Sequence, residues 1–552
     1  MFPTISLCLG LLAAGSPASE VRAAVADVES LPPEVRPGVR YLTLEAIEPN
    51  RRGEALRVVG YTLNALSRTR SISPPVQITP TLLRFNIGQY ASQADDFTAW
   101  TAAWEKLAET DPYFHLRTQV IAPAEVGSKN NRSATKAEGG IRKAEQSKSA
   151  APAIRVANSV LQTVTTDGGW VDLQLAARLR QATHSAGAIL RADYFVAQAT
   201  ATPRYYDFVG VPDTETAFLK SIGVDAEVID KLRANAGANL IISGVTSKPR
   251  RIVWLQGPLG GVYSTLDVER VDAARDPLRR PVDVILPLSR GEGRGEGEER
   301  SRKSEFGRRK EEPQTTSPVH PFSPSPVPSQ HPHPNPLPQG EGTLKFQFDV
   351  SEWFAVSPNG LWRTALFNAA GRRQDTVPDR VAKDTSDPSG DGIVVPLVSC
   401  IRCHREAGLR PFADDQTRLL TGTISLYSYD PTIVERAIEF YDQPRLQRQM
   451  AFDRQTYTAA VAQTTDGLTP EQLADALAAV VRNFAYLPVS PEQAAREVGL
   501  EPAAFRQALH ATRDPIVLLL LEGRSVLRGQ WDSSFAEAAL AAQVIQISQQ
   551  AK

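Results

Sequence analysis

IVWLQGPLGGVYSTLDV (Ile252 to Val268) carries the reading of the fold. Two runs rich in β-branched, aromatic and aliphatic residues flank a Gly-Pro-Leu-Gly-Gly turn, the pattern of a β-hairpin. A second hairpin follows in SEWFAVSPNGLWRTALF (Ser351 to Phe367), turning at Ser357 to Gly360, and the strand-like LKFQFDV (Leu344 to Val350) leads into it. Between the two lies a segment of different character, residues 287–343. It begins near RGEGRGEGEE and ends in HPHPNPLPQGEG. Such a composition cannot bury enough apolar surface to offset the entropy of ordering it, so it is read as a disordered Pro/Gly-rich insert. The strands on either side are therefore expected to share one sheet. Gly and Pro codons are complementary, so the two ends also resemble the arms of an inverted repeat carried in frame.

Upstream, YLTLEA (Tyr41 to Ala46) reads as a strand and Gly53 to Leu66 as a helix with Leu56, Val59, Leu63 and Leu66 at helical spacing. VQITP and TLLRFNI are short extended runs. Phe97 to Leu107 is a helix whose Trp100, Trp104 and Leu107 face the core. Residues 127–151 are a polar, basic loop, and further helices are expected over Val171 to Arg180, Thr214 to Ile222 and Ala226 to Asn235. Downstream of Cys400 the pattern is helical. Thr469-Pro-Glu-Gln472 and Ser490-Pro-Glu-Gln493 are capping boxes with proline at the first helical position, and Leu473, Leu477, Val480 and Val481 form one apolar face. Ala494 to Leu509 is an αα-hairpin. The fold class is α+β: a mixed region over 40–286, completed by a hairpin region over 344–395, then a mainly helical, cytochrome c-like region over 396–552.

The 552 residues carry 61 Lys+Arg against 62 Asp+Glu, a net charge of -1, which excludes a nucleic-acid binder that relies on bulk positive charge. No apolar run is long enough to span a membrane. Residues 1–23 have the pattern of a signal peptide, with an apolar ISLCLGLLAAG (Ile5 to Gly15) followed by small residues and cleavage positions at Ala18 or Ala23. Of three cysteines, Cys8 lies in that leader, so the exported chain keeps Cys400 and Cys403.

Cys400-Ile-Arg-Cys403-His404 is the C-x-x-C-H pattern of c-type haem attachment. Thiols three residues apart on a helical turn reach the two vinyl groups of one porphyrin edge. The adjacent His404 then supplies the proximal imidazole to iron. A zinc knuckle needs a second ligand pair, and no further cysteine exists in the exported chain. A redox dithiol lacks a thioredoxin-like βαβ context. Export and an oxidising compartment suit both the attachment and the absence of spare thiols. Met450, 46 residues after His404, is the candidate distal ligand, with His115, His184 and His510 as further candidates and an open position as the alternative. Arg402, Arg405 and Arg410 are candidate partners of haem propionates, and the Leu409 to Phe412 stretch a candidate source of a carbonyl for the imidazole N–H. Asp384, Asp387 and Asp391 resemble a calcium loop, but their spacing does not fit an EF-hand.

RYLTLEAI…LNALSR (Arg40 to Arg68), TLLRFNIGQY (Thr81 to Tyr90), ILRADYFVAQA (Ile189 to Ala199), YYDFVGVP (Tyr205 to Pro212) and WFAVSPNGL…GRRQDTVPD (Trp353 to Asp379), leading into LVSCIRCH, together resemble a group of large secreted proteins common in planctomycetes, with one C-terminal cytochrome c-like motif. The resemblance spans most of the chain outside leader and insert, and it implies haem binding and electron transfer. The expectation is thus an exported, periplasmic or secreted c-type cytochrome-like protein. It would carry one covalent haem c and transfer single electrons to a redox partner protein, with no nucleic-acid partner. The alternatives are a haem sensor or peroxidase-like enzyme with open iron, and an extracellular binding protein with accessory haem.

Overall fold

A computed structural model describes residues 17–113, 173–225, 237–239, 248, 250–272, 275, 346–385, 387, 391–405, 444–510 and 512–550. The expected polar loop at 127–151, the helix over Ala226 to Asn235 and the insert at 287–343 lie outside them. The described residues are 49% helical and 15% strand, an α+β arrangement.

The hairpins form the larger of two sheets. It is a five-stranded antiparallel meander of β5 (Gly237–Asn239), β6 (Arg250–Gln256), β7 (Gly261–Asp267), β8 (Val350–Val356) and β9 (Trp362–Asn368), in that order. Strands β7 and β8 pair directly across the insert, with Asp267 opposite Val350 and Tyr263 opposite Phe354. The strand expected from Leu344 begins only at Val350. Its ladder partner β7 ends at Asp267, whose carbonyl still accepts from the Asp349 amide at 2.8 Å, and Phe346 lies under the Arg251 guanidinium, 4.3 Å from its ring centroid. The β8–β9 turn needs a glycine. Gly360 has φ +85°, and a Cβ there would stand 3.0 Å from Thr456 and 3.3 Å from Ala460.

The smaller sheet has the order β2 (Val76–Gln77), β3 (Leu82–Asn86), β1 (Val39–Thr43), β4 (Ile189–Arg191). Strand β1 runs antiparallel to β3 and parallel to β4. Helix α1 (Pro17–Ser30) buries Val21, Ala24, Val25 and Val28 against Val39, Tyr41 and Leu82 of this sheet, and Glu20 accepts a hydrogen bond from Thr43. A cut after Ala23 would strip Glu20 and Val21 from that face, whereas a cut after Ala18 leaves every one of these contacts. Helices α2 (Arg52–Ala65) and α3 (Ala94–Glu109) follow the expected spans within a few residues. Trp100 and Trp104 are fully buried, packed edge-on against Phe208 and Phe85 at 4.6 and 5.4 Å. Helices α4 (Leu173–Thr183), α5 (Ala192–Ala199), α6 (Arg204–Val209) and α7 (Glu215–Ser221) complete this part, with Thr214 capping α7 by accepting from the Ala217 amide.

After the sheets come α8 (Val398–Cys403), α9 (Pro444–Thr464), α10 (Pro470–Ala485), α11 (Pro491–Glu497), α12 (Pro502–Leu509), α13 (Pro515–Leu521) and α14 (Arg528–Gln550). Thr469 and Gln472 form the reciprocal capping box at α10. At α11 the box is half made: Ser490 accepts from the Gln493 amide, but the Gln493 side chain turns inward to Ala46 and Glu497. The expected boundary at 396 does not separate two cores. One continuous apolar cluster runs from Leu42 and Leu83 through Phe354 to Leu473 and Phe535, and α10 packs on α2 and α5.

A buried charge cluster fixes this junction. Arg191, at the end of β4, pairs with Asp193 at 2.6 Å and with Glu497 of α11 at 2.8 Å. Arg528 of α14 meets Glu497 at 2.8 Å, the Trp531 indole donates to Glu497 at 2.6 Å, and the Tyr113 hydroxyl donates to Asp532 at 2.6 Å. Burial alone would push the Glu497 carboxyl up. The guanidiniums of Arg191 and Arg528 overcome that and hold it well below its ordinary 4.5. A carboxylate with a lowered folded pKa contributes stability that is present above its unfolded pKa and lost as pH falls through the folded one. Stability is therefore expected to drop progressively below about pH 4.5 in urea titrations, and Glu497→Gln should flatten that acid limb. The same substitution should cost about 3–5 kcal/mol at pH 7, because it leaves two buried guanidiniums undercompensated.

Candidate functional site

The haem-motif residues sit on α8, which is held against the hairpin sheet. Leu397 precedes the helix with φ +68°, a region that non-glycine residues rarely occupy, and its amide donates to Thr364 Oγ1 at 2.9 Å. Val395 donates to Ser399 Oγ at 3.0 Å, closing the entry turn. Cys400 is buried, while Cys403 and His404 are partly so. The structure brings these three together on one helical turn, with the His404 amide closing it on the Cys400 carbonyl at 2.8 Å.

Strand alternation aims the opposing wall. Glu352 and Phe354 leave one face of β8, and Trp362 and Thr364 leave the same face of β9, where Phe354 pairs with Thr364. Phe354 meets the His404 imidazole edge to face at 4.7 Å. The Cys400 thiol points at Glu352 Oε1, 3.4 Å away. Phe354, Trp362, Thr364, Cys400, Ile401, His404 and Tyr457 line an apolar pocket. Its cavity volume is about 10 Å³, partly open to solvent, with room for about one water.

The electrostatics keep the thiols neutral. Burial, with Glu352 and Cys403 nearby, pushes the Cys400 thiol far up. Burial, then Asp384 and Glu352, push Cys403 up to about 12. Enclosure also raises the Glu352 carboxyl, against the pull of Arg250.

Of the remaining expected site residues, Arg402 is already engaged. It pairs with the buried Asp384 and lies 3.7 Å from Asp387, so this acidic stretch serves as the counter-ion of the helix that carries the cysteines. Its use differs from both the expected propionate contact and a calcium loop. Arg405 pairs with Asp475 of α10 at 2.8 Å on the surface. Arg410 and the Leu409 to Phe412 stretch lie outside the described residues, as does His115. His184 and His510 are exposed at helix ends and do not line the pocket.

Met450 is not brought to the site. It is buried on α9, on the face that continues through Asp453 to Tyr457. Asp453 accepts from the Gly261 amide at 2.9 Å and the Tyr263 hydroxyl at 2.7 Å, which pins that stretch of α9 to the β6–β7 turn. The α9 residue that lines the pocket is Tyr457, seven residues on and about 10 Å further along the axis. The sequence carries no signal for the aromatic wall beyond the charged Glu352 in a strand rich in aromatic and aliphatic residues.

The donor set suits a haem c: two thiols one turn apart, an adjacent imidazole and an apolar aromatic wall. Among the described residues, no group of three or more His, Cys, Asp or Glu side chains is assembled to hold a bare metal ion. No helix among them is long and apolar enough to cross a membrane. Comparison with protein-family models, curated proteins and solved structures finds no match to this chain.

Thiol reactivity checks the geometry without haem. In folded protein made without haem, Cys400 and Cys403 should react with an aromatic disulfide at pH 8 at least about tenfold more slowly than in urea, because the thiolate is the nucleophile. Equal rates in both conditions would contradict the burial described above.

Proposed function

We propose that this chain is an exported c-type haem protein that transfers single electrons through one covalently attached haem. The observation that carries the proposal is the placement of Cys400, Cys403 and His404 on one turn beside the Phe354–Trp362 wall. Bound haem c supplies the one-electron Fe(III)/Fe(II) couple. The chain's part is to hold it. Cys400 and Cys403 would hold the haem through thioethers, each S–H adding across one vinyl C=C, and His404 would offer its imidazole to the iron. Phe354 orients that imidazole by edge-to-face contact, and Ile401 and Trp362 exclude water. The Asp384–Arg402 pair anchors the helix, which leaves propionate binding to other donors. A periplasmic or secreted location and a redox partner protein belong to the same proposal.

A second reading, a haem sensor or peroxidase-like enzyme with open iron, is favoured by one observation: Met450 does not line the pocket and Tyr457 does.

Protein matured with the haem-attachment machinery should keep its haem on a denaturing gel. Cys400→Ala or Cys403→Ala should weaken the haem stain, and the double substitution should abolish it. Haem released from the unsubstituted protein by acid-butanone would overturn the proposal.

A further inference from the structure

We propose that Glu352 takes up a proton when the haem takes up its electron, so that this chain carries the two together. The inference rests on the haem reading and adds a residue to it. Glu352 stands on β8 at the attachment point, its Oε1 3.4 Å from the Cys400 sulfur. A thioether at that sulfur ties the porphyrin rim to it, so the carboxyl stays beside the haem edge however the ring settles.

The surroundings leave this carboxyl free to change state. Glu352 is half-buried, so solvent reaches it with a proton. Among the described residues it forms no ion pair. Arg250 of β6, whose charge pulls it down, is shared at 3.0 Å with Asp267 of β7, whose charge pushes it up. The thiols of Cys400 and Cys403 face it from α8, with the Asp384–Arg402 pair beyond Cys403, and Leu366 lies opposite on β9. Haem attachment removes a donor from this set. The free Cys400 thiol donates to Oε1, whereas a thioether has no S–H. That leaves the Thr265 hydroxyl, 3.5 Å from Oε2, as the side-chain donor among the described residues. Losing a donor disfavours the carboxylate, and enclosure already raises it above its ordinary 4.5. Both effects move its titration toward neutral pH.

Ferric haem carries one more positive charge than ferrous haem. Two charges about 10 Å apart in a partly buried setting shift each other by about one pH unit. One electron from the reductant turns Fe(III) into Fe(II), and the carboxylate takes one proton from solvent. Oxidation reverses both. The carboxylate thus favours Fe(III), and its protonated form does not.

The test is a spectroelectrochemical titration of the full chain carrying covalent haem, with dithionite-reduced and ferricyanide-oxidised ends, from about pH 5 to pH 9. The midpoint potential should be high at the acid end, fall over about one pH unit and level off lower. Glu352→Gln and Glu352→Ala are neutral at every pH, so each should hold the high value throughout. The reduced-minus-oxidised infrared difference spectrum should show a protonated carboxyl band that both variants lose. A midpoint that ignores pH in the unsubstituted protein would overturn the proposal. So would a fall that survives in the variants, which assigns the proton to a propionate, or the loss of haem stain from both variants, which makes Glu352 a structural residue. These results leave the haem reading standing, whereas the absence of covalent haem from the unsubstituted protein removes that reading and this one together.

Discussion

The pairing of β7 with β8 is the constraint on which the site depends. Six residue pairs, from Val262–Ala355 to Asp267–Val350, join the part of the chain before the insert to the part after it. Everything that faces the cysteine helix follows from that register. A shift by one residue would turn Glu352 and Phe354 to the opposite face and leave Cys400 and His404 against Trp353 and Ala355. The same ladder places the β6–β7 turn under α9, where the Asp453 carboxylate reads its backbone. Pocket wall, helix position and hairpin register are thus one mechanical unit.

The Arg191–Glu497–Arg528 cluster has a different role. Apolar contacts hold the first sheet and the C-terminal helices together but tolerate sliding, because they are non-directional. Two guanidiniums sharing one carboxylate, with an indole N–H completing its shell, do not. Such a cluster is weak evidence for net stability, since desolvation offsets much of its Coulombic gain. Its strength is in orientation: it fixes the end of β4 relative to α11 and α14.

Much of this architecture was legible in the sequence because the signals were local. The Gly-Pro-Leu-Gly-Gly turn, the Thr469 capping box and the tryptophans of α3 are each decided by residues within one or two turns of chain. The haem motif is legible for the same reason, as its spacing is its chemistry. What escaped depended on partners distant in sequence. Phe346 to Asp349 has strand composition, but the strand begins only at Val350. Met450 has a familiar separation from His404, but its helix is placed by Asp453 against a turn nearly two hundred residues earlier. The engagement of Arg402 by Asp384, and of the Gln493 side chain by the Ala46 carbonyl, likewise required the folded contact to be seen.

The connection between β7 and β8 has an evolutionary consequence. Its two ends are tied by the Asp349 amide to the Asp267 carbonyl at 2.8 Å and by the Glu269 amide to Asp349 at 2.7 Å. Chain added between such clamped ends does not alter the geometry of either strand, and each doubling of its length costs only about 0.6 kcal/mol of closure entropy. Selection on folding is therefore nearly blind to what is inserted there. A stretch of imported coding sequence at this point would persist by neutrality, and the hairpin would serve as a site where new sequence accumulates before it has any use.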